Sequence, residues 1–215
     1  MKFWGREVDG EEAALNAERN PASVAAVGAA TARAERDALA IVALMSGGLR
    51  GRLVEIGTWE GAGAEAMARR LPEEWEIYTV DHYKELTPHE TFAVCTKAEA
   101  LRRATLRLRP YGNVQRIVDE AVEVAAGWPR SFREVDLLFI DDDHTEGHTV
   151  EVLRAWLPHM APGGAVALHD HNEWEGCTKH PDVAAAASNV LPKAGWRHEP
   201  WLDTGSTAFF LRGGR

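Results

Sequence analysis

Residues 137–140 read Leu-Leu-Phe-Ile, an unbroken apolar run closed on either side by Asp136 and Asp141. A strand with no polar face has to be covered on both sides. That requirement points to a sheet held between two layers of helices, and the neighbouring sequence supplies the parts. Residues 52–57 (RLVEIG), 76–81 (EIYTVD), 113–118 (NVQRIV) and 165–170 (AVALHD) read as further strands. Helical stretches lie between them, at 60–71, 88–108 and 119–127, and where Val152, Leu153, Trp156, Leu157 and Met160 share one helical face. After a short helix at 182–191, WRHEPWLD and STAFFLR flank a Thr-Gly turn and predict a terminal hairpin. Strands alternating with helices predict an α/β fold with a mainly parallel sheet.

The first fifty residues differ in character. Asn20-Pro21 is a helix entry, Ala-rich sequence follows to Met45, and Gly47-Gly48 stops it; residues 11–18 predict a shorter helix. The expected division is an N-terminal helical extension over 1–48 and one domain over 49–215. The extension is either a lid or dimer element, or an extra helix packed on the core. The chain carries 24 basic and 33 acidic residues, a formal charge of −9, with no basic block. This argues against nucleic acid and anionic membrane as partners. No apolar run approaches the roughly 20 residues of a membrane span. The start MKFWGREVDGEE is polar at once, unlike a secretory signal. Two cysteines, Cys95 and Cys177, are too few for a disulfide scaffold and fit a reducing compartment. The expectation is a cytoplasmic protein acting on a small molecule, and a homodimer formed through the weakly charged helix at 21–31.

Ligands of such sheets bind beyond the carboxyl ends of the strands. Polar residues collect there: Glu55 and Gly57, Asp81, Asp119-Glu120, Asp141-Asp142-Asp143-His144, and His169-Asp170-His171. The loop Glu55-Ile-Gly57-Thr-Trp-Glu-Gly61-Ala-Gly63 leads from the first strand into a helix. It lacks the Gly-Lys-Ser/Thr of a P-loop and the Gly-x-Gly-x-x-Gly spacing of nicotinamide folds. Taken alone, its glycines mean either a tight turn or a close approach of ligand to backbone. Asp81, 24 residues beyond Gly57 at the tip of the second strand, can accept both hydroxyls of an adenosine ribose, which favours a nucleoside ligand.

The stretch LVEIGTWEGAGAEAMARRL…IYTVD…VQRIVDEA…VDLLFIDDDH…PGGAVALHD resembles the class I S-adenosylmethionine (SAM)-dependent methyltransferases. Within them it is similar to the small-molecule O-methyltransferases of the catechol and macrocin types. The resemblance implies a Rossmann-like three-layer α/β/α sandwich, its seven-stranded sheet closed by an antiparallel last strand. It implies SAM as cofactor. Glu55, Gly57 and Gly61 would hold the methionine end, with Thr58 and Trp59 in the loop where the commonest form has a glycine. Asp81, with His82 beside it, would bind the ribose, and Asp119 and Glu120 the adenine. Asp141 would face the transferred methyl.

For the acceptor, two devices remain open. Metal-dependent relatives would place a divalent ion, Mg²⁺ or Mn²⁺, at the positions of Asp141, Asp170 and His171. An imidazole at the third position shifts preference toward Mn²⁺, Fe²⁺ or Zn²⁺. Alternatively His144 is the catalytic base, with Asp141 orienting it. His144 and His148, four apart, suggest a zinc pair without a third ligand. His169 and His171 alternate along a strand, so at most one faces the pocket. Trp59, Tyr83 and Trp174 are candidate pocket walls, and 84–110 and 171–181 candidate lids. The competing functions are a non-methylating SAM-fold enzyme of the cephalosporin hydroxylase type and a nucleoside-binding module.

Overall fold

The computed structural model describes residues 2–3, 6–7, 33–84, 95–129, 134–172 and 180–212. The expected helix at 11–18, the first part (22–32) of the helix expected from Ala22 to Met45, the start of the 84–110 insert, and Trp174 and Cys177 lie outside these residues. So does the segment 21–31 that suggested a dimer contact.

Seven strands form one sheet: β1 (Arg52–Ile56), β2 (Glu76–Val80), β3 (Val114–Ile117), β4 (Val135–Ile140), β5 (Met160–Leu168), β6 (Trp196–His198) and β7 (Ala208–Arg212). Their order is β3-β2-β1-β4-β5-β7-β6. All run parallel except β7, which is antiparallel to both β5 and β6. The expected fold, with its terminal hairpin, is therefore observed. A separate two-residue ladder pairs Lys2–Phe3 with Arg6–Glu7.

The apolar runs are continuous because each strand feeds two cores. Val54, Ile56, Leu138, Ile140, Val166 and Leu168 join one cluster, with Trp156 and Trp196. Leu53, Leu137, Phe139, Ala165 and Ala167 join the other, with Leu39, Met67 and Trp75. Residues i and i+1 of a strand point to opposite faces, so a strand covered on both sides has no place for a polar residue. The buried polar exceptions in the strands are Arg52, Glu55, Thr79 and Asp136, and Asp136 accepts the Arg52 N–H at 2.8 Å. It thus ties the amino ends of β1 and β4.

Helices α1 (Arg33–Gly47), α2 (Ala62–Ala68) and α3 (Lys97–Leu108) precede α4 (Ala121–Ala126), α5 (Glu146–Trp156) and α6 (Pro181–Val190). The first core contains residues of α4, α5 and α6, and the second contains residues of α1, α2 and α3. The Thr96 hydroxyl caps α3 by accepting from Glu99 N–H, and Thr145 caps α5 by accepting from His148 N–H. Trp156 donates its indole N–H to Ala121 O at 3.0 Å, joining α5 to α4. No helix among the described residues is long and apolar enough to cross a membrane.

One polar contact closes the structure over a long sequence separation. Glu35, buried on α1, accepts from Ser206 N–H at 2.8 Å and from the Ser206 and Thr207 hydroxyls at 3.1 and 3.4 Å. The start of α1 is thereby fixed to the β6–β7 connection. Removing the carboxylate strands buried donors, which costs more than the net worth of the bonds. Glu35→Ala is expected to lower stability by about 1–3 kcal/mol in urea unfolding. Ile41→Ala, on the exposed face of the same helix, is expected to change it by less than about 0.5 kcal/mol.

Candidate functional site

The tips of the central strands are bound to one another by backbone. Gly57 N–H donates to Val80 O at 2.9 Å, and Asp141 N–H to Ile56 O at 2.8 Å. Gly57 has φ +95°, and a Cβ there would stand 1.8 Å from the Asp141 carbonyl oxygen. A Cβ on Gly63 would stand 2.0 Å from Glu55 Oε1. These two glycines therefore make room for the protein's own groups, the tight-turn alternative. Gly61, at φ +80°, occupies the N-cap of α2 and donates its N–H to Thr58 O at 2.7 Å.

Glu55 lies beneath this loop, 2% exposed. Thr79 donates its hydroxyl to Glu55 Oε2, and Thr58 Oγ1 lies 2.6 Å from Thr79 Oγ1. Burial pushes the Glu55 carboxyl up to about 8; Thr79's hydrogen bond works against this, the charges of Asp141 and Asp81 add to it, and Arg36 opposes it. The site thus contains a buried carboxyl that would become an anion if a cationic group settled beside it.

Asp81 is almost fully engaged by its own surroundings. Trp59 N–H donates to Oδ2 and Tyr83 N–H to Oδ1, both at 2.9 Å. Tyr83 OH donates to Trp59 O at 2.7 Å. Lys97 Nζ stands 4.0 Å from Asp81 Oδ1 and 5.0 Å from the centre of the Trp59 ring. Trp59 and Tyr83 both have left-handed φ, +47° and +49°. Such strain persists where surrounding contacts over-determine it, often at functional sites. Lys97 was not legible as a partner of Asp81, because α3 reaches the β2 tip only through tertiary packing.

Farther along, the His82 ring Nδ1 accepts from Lys84 N–H at 2.9 Å. Asp119 is exposed and accepts from Glu120 N–H at 2.8 Å, while Glu120 pairs with Lys84. The pair between Lys84 and Glu120 joins the tips of β2 and β3.

At the tips of β4 and β5 four side chains converge. One ligand atom from each of Asp141, His144, His169 and Asp170 lies within 4.8 Å of the others. His169 Nδ1 is 3.0 Å from Asp141 Oδ1 and 3.5 Å from Asp170 Oδ2; His144 Nε2 is 3.1 Å from Asp170 Oδ2 and 4.0 Å from Asp141 Oδ1. The two nitrogens are buried and stand at ion-pair distance from the acids, without the alignment of a regular hydrogen bond. The oxygens are close enough to interact by charge but do not lie along the ring N–H directions. Burial disfavours the charged form of both rings, but the neighbouring acids outweigh it. The His144 pKa is raised, that of His169 well above the usual value, and that of Asp170 is strongly lowered despite its burial. His180 stacks on His144 with ring centres 4.2 Å apart, and Phe139 meets the His169 ring edge-on.

His171 is placed differently from the expectation. Its ring packs against His198 and Phe210, with Nδ1 2.8 Å from Asn172 Oδ1, and among the described residues it does not join the four-donor group. Only His169 of the pair lies on the Asp141 side. β5 ends at Leu168, and Asp170 turns the chain at φ +55°, bringing its own carboxylate to the same side. The His144–His148 zinc pair is likewise not formed: His148 Nε2 lies 3.0 Å from Asp142 Oδ2 instead. Burial opposes charge on Asp142, but His148 and nearby His82 hold its pKa below the usual value.

The Glu55 proton gives a pH signature. Its folded pKa is raised above the unfolded value, so its support for folding is complete below about 4.5 and is lost as pH rises toward about 8. Glu55→Gln keeps an acceptor for Thr79 and removes the ionisation. Between pH 5 and 9 the variant is expected to gain on the parent by on the order of 3 kcal/mol, read from denaturant midpoints. Parallel pH curves for the two proteins would contradict the assignment.

A sequence profile described as a methyltransferase domain matches residues 54–171. No curated protein matches the sequence. Among solved structures, the chain is similar to a putative caffeoyl-CoA O-methyltransferase from Staphylococcus aureus, at 14% identity, TM-score 0.66, and coverage of 94% of this chain and 90% of that one. It is also similar to the O-methyltransferase TomG from Streptomyces achromogenes, determined in complex with SAM, at 16% identity, TM-score 0.64, and coverage of 97% and 92%. A third, a putative O-methyltransferase from Klebsiella pneumoniae, has 17% identity, TM-score 0.61, and coverage of 87% and 83%. At these identities the structures speak for the fold alone, whereas the profile spans more than half of the sequence: this chain belongs to the methyltransferase domain family.

Proposed function

We propose that this protein transfers the methyl group of SAM to a hydroxyl of a small molecule, such as a sugar, a phenol or another hydroxylated metabolite. The observation that carries this reading is the convergence of Asp141, His144, His169 and Asp170 at the tips of β4 and β5, beside the glycine loop that follows β1. Methyl transfer is an in-line displacement, and a hydroxyl becomes a competent nucleophile only when its proton is drawn off.

Each part of the site has a task in that reaction. Glu55 faces the cationic methionine end of SAM and ionises when that charge arrives, which offsets its desolvation. Asp81 accepts from the ribose hydroxyls and exchanges the Trp59 N–H for them. Asp119 and Glu120, at the β3 tip, take the adenine end. The two buried imidazole nitrogens and the acids beside them fit a divalent ion held by Asp141, His144, His169 and Asp170. When bound, such an ion lowers the pKa of an acceptor hydroxyl.

Two measurements test this reading. Calorimetry is expected to give micromolar binding of SAM or S-adenosylhomocysteine, weakened in Asp81→Ala by about 1.5–3 kcal/mol through loss of charge-assisted hydrogen bonds. Equal binding by the variant would remove Asp81 from the cofactor site. With methyl-labelled SAM and a panel of phenols and sugars, label is expected to move to an acceptor hydroxyl. EDTA is expected to stop the transfer and a divalent ion to restore it. Asp170→Asn, which tolerates the left-handed backbone, is expected to be nearly inactive. Turnover insensitive to EDTA would leave the divalent ion without support.

A further inference from the structure

We propose that the corner formed by Asp141, His144, His169 and Asp170 selects a first-row transition dication over Mg²⁺, with Zn²⁺ held more tightly than Mn²⁺ and Mn²⁺ more tightly than Mg²⁺. The inference deepens the proposed function and rests on it for the purpose of the ion. It does not rest on it for the binding itself.

The chemistry of the donor set decides the selection. Resemblance to metal-dependent O-methyltransferases puts ligands at Asp141, Asp170 and His171, but the ring of His171 packs against His198 and Phe210 instead. The group that forms contains two imidazole nitrogens, His144 Nε2 and His169 Nδ1, with one oxygen from each acid. Mg²⁺ prefers oxygen ligands, keeps much of its hydration shell and gains little from imidazole. Imidazole suits Zn²⁺, Fe²⁺ and Co²⁺, and affinity at mixed nitrogen and oxygen sites rises from Mn²⁺ toward the later metals.

Burial adds an independent argument. His169 is 8% exposed, and its Nδ1 is aimed into the group without an aligned hydrogen bond. A buried nitrogen that faces acids without an aligned hydrogen bond is poorly satisfied, and an ion seated between the rings and the acids would satisfy it. His144 Nε2 is in the same condition on the other side. The observed separations, from 3.0 Å to at most 4.8 Å, resemble the roughly 3–4 Å between donors that share one ion at about 2.1 Å. The rings are also held in orientation from outside, His144 by the stacked His180 and His169 by the edge of Phe139. Such outer support is what tunes a metal site.

The test is equilibrium dialysis of chelator-stripped protein against Zn²⁺, Co²⁺, Mn²⁺ and Mg²⁺ separately, with neither SAM nor acceptor present. One ion per chain is expected, with Zn²⁺ and Co²⁺ bound at least about 100-fold more tightly than Mg²⁺. His144→Ala, at a helix start, and His169→Asn are each expected to weaken Zn²⁺ by about 10-fold or more and to change the visible absorption of bound Co²⁺. Mg²⁺ affinity should move by less than about 3-fold, and His171→Ala should bind Zn²⁺ as the parent does. His169→Asn counts only if its circular dichroism matches the parent; His144→Ala carries the test if it does not. Mg²⁺ binding as tightly as Zn²⁺, no ion bound, or folded histidine variants binding Zn²⁺ like the parent would each overturn the proposal. Because no cofactor is present, loss of metal selectivity and loss of methyl transfer are read separately.

Discussion

Three central strands stop in register, and the chemistry of this protein depends on that. Ile56 pairs with Ile140, and Ile140 with Leu168. The next residues, Gly57, Asp141 and His169, therefore leave the sheet side by side. Parallel pairing fixes these positions to within the spacing of neighbouring strands, about 5 Å, before any side-chain interaction is considered. The Gly57 backbone then closes on the Asp141 carbonyl so tightly that no Cβ fits. Polar groups gather at this edge because the backbone there leaves the ladder while the cores on both faces are already filled.

The electrostatics of that edge follow from what compensates each acid. Asp141 and Asp170 face two histidines, Asp142 faces His148, and Asp81 has Lys97 at 4.0 Å and two backbone N–H donors. Glu55, buried beneath the loop, accepts from the Thr79 hydroxyl, and burial together with the charges of Asp141 and Asp81 outweighs Arg36 and raises its pKa. Away from the edge, compensation comes from arginine. Arg103 pairs with Glu60 and Arg107 with Glu65, which fastens α3 to α2 and its preceding loop. These pairs are part-exposed and contribute modestly to stability, but they set where Lys97 enters.

The sequence made the architecture legible wherever an apolar period repeated. The strands at 52–57, 76–81 and 135–141, the amphipathic helix before Met160 and the terminal hairpin all appear, with boundaries displaced by a few residues. Strand β5 starts earlier than expected, at Met160, because it pairs with Val135 before an irregularity and resumes pairing at Ala165. The acids at the strand tips were legible for the same reason: they mark where apolar runs stop. The choice between His169 and His171 was not legible, since it depends on the left-handed turn at Asp170, a conformation that aspartate tolerates but that no local pattern marks here. Nor could spacing reveal that His148 turns to Asp142 while His144 turns to Asp170. That division is made by the start of α5 packing against two different strand tips. The Trp59 N–H on Asp81 and the proton on Glu55 belong to the same class, being products of tertiary burial rather than of local pattern.

The contact between Glu35 and Ser206 has a consequence for the order in which the chain is completed. The two residues are 171 positions apart, so at 5–20 residues per second the carboxylate waits about 10–30 s on the ribosome for its partners. β7 also inserts between β5 and β6, so the far edge of β5 stays unpaired until Ala208–Arg212 has been made. During that interval the helix carrying Leu39, Val42 and Ala43 lacks Phe209, a member of the core it joins. Until β7 is made, the protein therefore presents an open sheet edge and an apolar helix face together, the combination that makes a partly folded chain prone to aggregate, so synthesis of β7 rather than of the first strands is the point of commitment to the folded state.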